Sequence, residues 1–255
     1  MLSYSFRITI QGYIKMKVVK LKSAREISVH AAEIFAEQIK SKSDSVLGFA
    51  TGASPVETYK RLIEKYQGGE ISFKDVKTFN LDEYCGLDRE NENSYYYFMQ
   101  DNLFSHVDVK KENIHFLSGQ SGNIEQECES YRKMMSDCGG IDIQLLGIGT
   151  NGHIGFNEPS DSFTDGPFMV KLTESTIASN IKYFPDGNMP THALTMGVGD
   201  ILNAKKIVLI ATGEAKAKAI AAMINGEVTP NCPASALQNH PDVTVFVDEA
   251  AASLL

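Results

Sequence analysis

The segment Gly147-Ile148-Gly149-Thr150-Asn151-Gly152-His153-Ile154-Gly155-Phe156-Asn157-Glu158-Pro159 holds the densest chemistry in the 255-residue chain. Four glycines open the backbone around His153, whose imidazole titrates near neutral pH. Glu158 supplies a carboxylate able to orient or charge that ring. Following a buried apolar run, such a loop reads as a general acid/base site rather than as a structural histidine. Zinc is the competing chemistry, but His153 and Glu158 lack the H-E-x-x-H spacing and no further ligand cluster accompanies them. No catalytic metal is expected.

Asp82 and Glu83 follow the apolar stretch that ends Phe79-Asn80-Leu81. A carboxylate there, partly desolvated in a cleft, would serve as a general base; the plainer alternative is a solvated loop acid. The nearby Tyr95-Tyr96-Tyr97-Phe98 run is more often core packing than a stacking platform. A third group is Gly52, Ala53 and Ser54. Ser54 suits an N-cap, Pro55 the first helical position, and Glu57 completes a capping box, so free N–H groups and the positive helix end would favour a phosphate. An ordinary cap without a ligand is the alternative, and the Gly-Lys-Ser/Thr ending of a Walker loop is missing. Lys216, after Thr212-Gly213-Glu214, would reach the same anion, unless it is a solvated lysine like Lys218.

These residues must be carried by elements that bring them to one place. The chain alternates β-branched runs with helical patterns, the mark of βα units around a mostly parallel sheet flanked by helices. Strands are expected at Lys17 to Leu21, Val46 to Ala50, Ile71 to Leu81, Ile141 to Leu146, Ile207 to Ala211 and Val243 to Val247. Helices are expected after Ser23, whose capping box with Glu26 precedes Ile27, Ala31, Ile34, Phe35 and Ile39, over Val56 to Tyr66 and Asn93 to Phe104, and in alanine-rich stretches after the last two strands. Every polar cluster named above falls where a strand ends, and open α/β sheets bind ligands beyond the carboxyl ends of their strands.

Composition narrows the function. With 43% hydrophobic and 22% charged residues the chain is an ordinary globular protein, and motif spacing favours a single domain over 16–255. Residues 1–15 form a possible N-terminal extension, since Met16 stands before the first clean strand; an extra edge strand through Tyr4 to Ile10 is the alternative. A net charge of -8 and no basic stripe argue against nucleic acid. Cys85, Cys128, Cys138 and Cys232 lack disulfide or zinc spacing and read as free thiols of a cytoplasmic protein. No apolar run approaches the roughly 20 residues that span a bilayer, so no membrane association is expected.

Five segments together resemble the glucosamine-6-phosphate deaminases: ATGASPVETY from Ala50, NLDEYCGL from Asn80, NSYY from Asn93, LGIGTNGHIGFNEP from Leu146 and ALTMG from Ala193. The resemblance runs from about Met16 to the C-terminus. It implies a Rossmann-like domain with a mobile lid over about 160–184, a small amino-sugar phosphate as substrate, and no cofactor. It makes Asp82 the base that moves a proton from C2 towards C1, and His153 the ring-opening acid/base. Glu158 supports His153, and Asn151 stands where many members carry an aspartate. The phosphate would lie on Gly52, Ala53 and Ser54 with Lys216, and Lys182 occupies the position of the family's lid arginine. Phe168 and Val170 stand where regulated members carry basic residues, which implies no amino-sugar effector. The missing C-terminal extension of hexameric members implies a monomer rather than a homo-oligomer. Galactosamine-6-phosphate deaminase, 6-phosphogluconolactonase and a non-catalytic sugar-phosphate sensor are the rival readings.

Overall fold

The computed structural model describes residues 5–10 and 13–255, with side-chain surroundings from Met16 onward. Its elements in chain order are β1 (Ser5–Ile10), β2 (Tyr13–Leu21), α1 (Ala24–Ser41), β3 (Val46–Phe49), α2 (Val56–Gln67), β4 (Lys77–Asn80), β5 (Asp82–Tyr84), α3 (Tyr95–Asn102) and β6 (Ile114–His115). There follow α4 (Ile124–Asp137), β7 (Ile143–Leu146), β8 (Phe168–Lys171), α5 (Glu174–Asn180), β9 (His192–Thr195), α6 (Val198–Leu202), β10 (Lys206–Ala211), α7 (Ala217–Asn225) and β11 (Val243–Asp248).

The main sheet has the order β1-β2-β11-β10-β7-β3-β4-β6, and every pairing is parallel except the antiparallel β1 on β2. Its inner strands β3, β7, β10 and β11 are largely apolar runs because both faces are covered. In β10, Ile207 and Leu209 pack on the face that holds Tyr131 of α4 and Ile220 and Met223 of α7, whereas Val208 and Ile210 pack towards Phe35 of α1, Leu62 of α2 and Met99 of α3. The expected mostly parallel α/β fold is observed. A second sheet, of order β5-β9-β8, is antiparallel and belongs to the expected lid and its root.

The start of α1 is specified as the sequence suggests: Glu26 N–H donates to Ser23 Oγ at 3.2 Å, and the Glu26 carboxylate returns to the Lys22 N–H at 2.9 Å. Elsewhere the structure corrects the expectation. Of Ile71 to Leu81, only Lys77–Asn80 is strand; Ile71 and Phe73 are buried anchors of a loop held by Phe73 N–H on Asp108. Asp82-Glu83-Tyr84 is β5 rather than a loop, because it finds a partner in β9. The stretch after β11 is a series of turns, not a helix, as the Asp248 carboxylate takes the N–H of Ala251 at 2.7 Å. The edge strand suggested for Tyr4 to Ile10 is observed over Ser5–Ile10; Tyr4 lies outside the described residues. The four cysteines are free, and among the described residues no helix is long and apolar enough to cross a membrane.

Candidate active site

From β3 the chain steps outward through β4 to β6, then returns to β7 on the other side of β3 and continues to β10 and β11. The direction of winding therefore reverses between β3 and β7, and a crevice opens beyond their carboxyl ends. A cleft of about 240 Å3 lies there. It is lined by Gly52, Ala53 and Ser54 after β3, Asp82 after β4, Asn151 and His153 after β7, and Lys216 after β10. Seven of the expected residues, from four distant segments, thus line one cleft, and Glu158 stands directly behind His153.

The loop after β7 is built around two glycines. A Cβ on Gly149 would fall 2.3 Å from Cε1 of His153, so the imidazole lies flat on bare backbone. Gly155 has φ of +56°, and a Cβ there would come within 3.0 Å of Thr195 Oγ1 and 3.4 Å of Asp82 Oδ2. The loop can therefore pass this close to Asp82 only with glycine at that turn.

Glu158 is buried and heavily hydrogen-bonded. Asn151 Nδ2 donates to Oε2 at 2.8 Å while Asn151 Oδ1 accepts the His153 N–H at 3.1 Å, so the amide ties the histidine backbone to the carboxylate. His153 Nδ1 stands 3.4 Å from Oε2, an ion-pair distance longer than an ordinary hydrogen bond. Thr173 Oγ1 donates to Oε1 at 3.2 Å, and Thr176 Oγ1 donates to the same oxygen. Burial alone would raise this carboxyl, but the His153, Thr176 and Asn151 partners outweigh it and hold it at about 2.

Asp82 presents the opposite case. It is buried, and among the described residues no group donates to its carboxylate; burial first, and the charge of Glu83 second, push it up to about 8. Glu83 is not a catalytic partner. Its carboxylate takes the N–H groups of Tyr84 at 2.8 Å and of Tyr95 and Tyr96 at 2.9 Å, and so anchors the first turn of α3. That turn delivers Tyr95 to the cleft wall, where its ring stacks on Phe156 with centroids 5.9 Å apart. Tyr96 packs on Phe116, so the tyrosine run divides between cleft and core.

The phosphate end differs in two respects from expectation. The Ser54–Glu57 capping box does not form: α2 begins one residue later, with Pro55 as N-cap and no side-chain cap, and the Glu57 carboxylate is held by Arg61 at 2.6 Å. Ser54 is left exposed on the cleft, its hydroxyl free for a ligand. Lys216 is half-buried without a carboxylate partner among the described residues, and burial lowers its pKa. Lys182, in contrast, is not in the cleft. Beyond Asn180 the helix tightens into a 3-10 turn that carries Lys182 outward, its ammonium 5.0 Å over the Tyr183 ring.

In its place α5 presents Ser175, Thr176, Ser179 and Asn180 to the cleft. These were not anticipated, although polar residues at i, i+1, i+4 and i+5 beside apolar Ile177 do mark one face of a helix. Phe168 and Val170 line a separate small cavity behind Glu158, with Lys171 and Pro233. Among the described residues, no group of three or more His, Cys, Asp or Glu side chains is placed to hold a metal ion.

The family model of glucosamine-6-phosphate isomerases/6-phosphogluconolactonase matches residues 20–246. The glucosamine-6-phosphate deaminase of Clostridium botulinum (strain Alaska E43 / Type E3) is 52% identical over 241 residues, covering 94% of this chain and 97% of that protein. That of Thermoanaerobacter pseudethanolicus is 50% identical, covering 94% and 95%. Among solved structures, a monomeric glucosamine-6-phosphate deaminase superposes with a TM-score of 0.91 at 44% identity, covering 93% of this chain and 99% of its own. The 6-phosphogluconolactonase from Trypanosoma brucei shares the fold alone, with a TM-score of 0.74 at 16% identity, covering 93% and 98%. On sequence and architecture together, this chain belongs to the glucosamine-6-phosphate isomerase/6-phosphogluconolactonase family.

Proposed function

We propose that this protein converts glucosamine 6-phosphate and water into fructose 6-phosphate and ammonia, in amino-sugar catabolism. The observation that carries the reading is the pair of acid/base groups in one cleft: an undonated, buried Asp82, and a His153 backed by a fully ionised Glu158.

His153 takes the proton from the anomeric hydroxyl and returns one to the ring oxygen, which opens the pyranose; Glu158 stabilises the charged imidazole, and Asn151 holds the loop geometry. Asp82, raised to about 8 by burial, is basic enough to remove the C2 proton from the open aldose. The carbonyl oxygen at C1 gains a proton as the enolamine forms, and Asp82 delivers its proton to C1. The resulting C2 iminium adds water and expels ammonia, leaving the C2 ketone. Hydrogen moves within the sugar and water supplies the new oxygen, so the chemistry balances without a redox cofactor. The amides of Gly52, Ala53 and Ser54 with the ammonium of Lys216 hold the phosphate. Ser179 and Asn180 of α5 replace the expected Lys182 on the lid side of that group.

We read the protein as a cytoplasmic monomer, in line with the monomeric relative at 44% identity; a hexamer in light scattering would overturn this. The test of function is release of ammonia and fructose 6-phosphate from glucosamine 6-phosphate by purified protein without added metal, beside galactosamine 6-phosphate and an Asp82→Asn control. Equal amounts of both products from the gluco substrate, lost in the control, are expected. Activity confined to the galacto epimer would retain the mechanism and change the substrate, and inactivity on both would reject the reading.

A further inference from the structure

The two oxygens of Glu158 serve different parts of the molecule. Oε2 faces the loop after β7, where it accepts from Asn151 at 2.8 Å and stands 3.4 Å from His153 Nδ1. Oε1 faces the first turn of α5, where it accepts from Thr173 at 3.2 Å and from Thr176. Thr173 is also the N-cap of α5, its Oγ1 accepting the Thr176 N–H at 3.3 Å and standing 3.1 Å from Thr176 Oγ1. Thr176 is buried, 4% exposed, and it lines the cleft together with Ser175, Ser179 and Asn180. One helix therefore faces the substrate along its length and grips, at its start, the carboxylate that charges the catalytic histidine.

A carboxylate shares one negative charge between its oxygens. A hydrogen bond to one oxygen draws charge towards it and weakens the other as an acceptor. Thr176 therefore limits how strongly Oε2 holds the imidazole, and it fixes the rotation of the carboxylate that aims Oε2 at Nδ1. We propose that Thr176 is a positioning residue: by holding Oε1 it fixes the rotation of the Glu158 carboxylate and sets the grip of Oε2 on His153, so that the histidine is tuned for ring opening. The inference rests on the ring-opening role proposed for His153.

The electrostatic surroundings make the coupling readable. Among the described residues His153 is the cation within ion-pair range of Glu158. Asp82 and Lys216 line the same cleft, and Lys171 of β8 lines the small cavity on the far side of Glu158. A hydroxyl deletion at Thr176 changes none of these charges. Thr173 is a poorer probe because its loss would also uncap the helix.

The experiment compares wild type, Thr176→Val and Thr176→Ser in the pH dependence of kcat for ammonia release, and in the titration of the His153 ring nitrogens by NMR without substrate. In Thr176→Val, kcat is expected to fall about 10-fold, the loss of one charge-assisted hydrogen bond. One limb of the pH profile should move to higher pH, as Oε2 is freed to hold the charged ring, while the Asp82 limb stays in place. The His153 signals should move in the same direction, and Thr176→Ser should restore both. A lower kcat with both limbs and the His153 titration unmoved would mean that Thr176 only shapes the fold, and an unchanged kcat would end the proposal. The NMR arm needs no turnover, so an incorrect substrate assignment would leave it standing as a separate result.

Discussion

Asp82 and Glu158 are two carboxylates within one crevice, and the chain treats them in opposite ways. Asp82 lies at the start of β5 in an apolar setting, is offered no donor among the described residues, and is pushed to about 8. Glu158 is also buried, though less deeply, and Asn151, Thr173, Thr176 and the His153 ring converge on it and hold it at about 2. Burial pushes both carboxyls up, more so for the deeper Asp82, and only on Glu158 do the partners together outweigh it. The division matches the roles proposed for them: the proposed base is left without donors, and the carboxylate proposed to back His153 is surrounded by them. Their positions follow the same division, since Asp82 lines the cleft and Glu158 stands behind the ring that does.

The comparison breaks most severely if Asp82 loses its basicity. Asp82→Asn keeps the shape and removes the proton acceptor, and turnover is expected to fall by about 10³-fold or more, the scale of a lost general base. Glu158→Gln keeps its donors' geometry in part but removes the charge behind His153; kcat for ammonia release should fall by about 100-fold while the Asp82 limb of the pH profile near 8 persists. At the phosphate end, Lys216→Ala should raise KM by about 10-fold with a smaller change in kcat, because it removes one charge-assisted contact from a non-reacting part of the substrate.

The smallest effects are thermal, and they have opposite signs. The folded pKa of Asp82 lies above its unfolded value of about 3.9, so its contribution to stability declines as pH rises from about 4 through 8. Asp82→Asn should therefore melt above wild type by a widening margin over that range. The folded pKa of Glu158 is depressed, so its contribution is complete above its unfolded value near 4.3 and is lost as pH falls through about 2. Glu158→Gln should melt below wild type at pH 7, and the gap should close in acid. Melting curves in which both variants shift the same way would undo the comparison.

The sequence revealed the elements that bury continuous apolar runs. β3, β7, β10 and β11, and the helices that cover them, were legible because each strand is enclosed on both faces. The site was legible wherever a strand ended on a glycine or an acid, as at Asp82, His153 and Gly52. The small antiparallel sheet was not, since three-residue β5 becomes a strand only by pairing with β9, more than a hundred residues later in the chain. Lys182 failed for a local reason. Three residues after Ser179 it would share the cleft face of a continuing α-helix, but the helix ends at Asn180 and the tighter turn rotates it away. The capping box at Ser54 failed because Arg61, one turn further on, competes for Glu57. Composition and spacing carry no record of such competitions between neighbours.

The parallel pairing of β2 with β11 has a bearing on how the chain comes into being. Strands β2 and β11 are separated by more than two hundred residues, so their pairing joins two distant parts of the sequence. Until that pairing forms, β2 has one ready partner, the antiparallel β1 that covers its outer edge. Contacts of such long sequence separation form late because the loop between them must be closed first. The half of the sheet that carries Lys216 is bounded by that late seam. The edge that β2 and β1 add to the sheet is therefore expected to join after the shorter-range pairings around β3, β7 and β10, so the strands that carry the cleft depend on this seam for closure rather than for their own pairing.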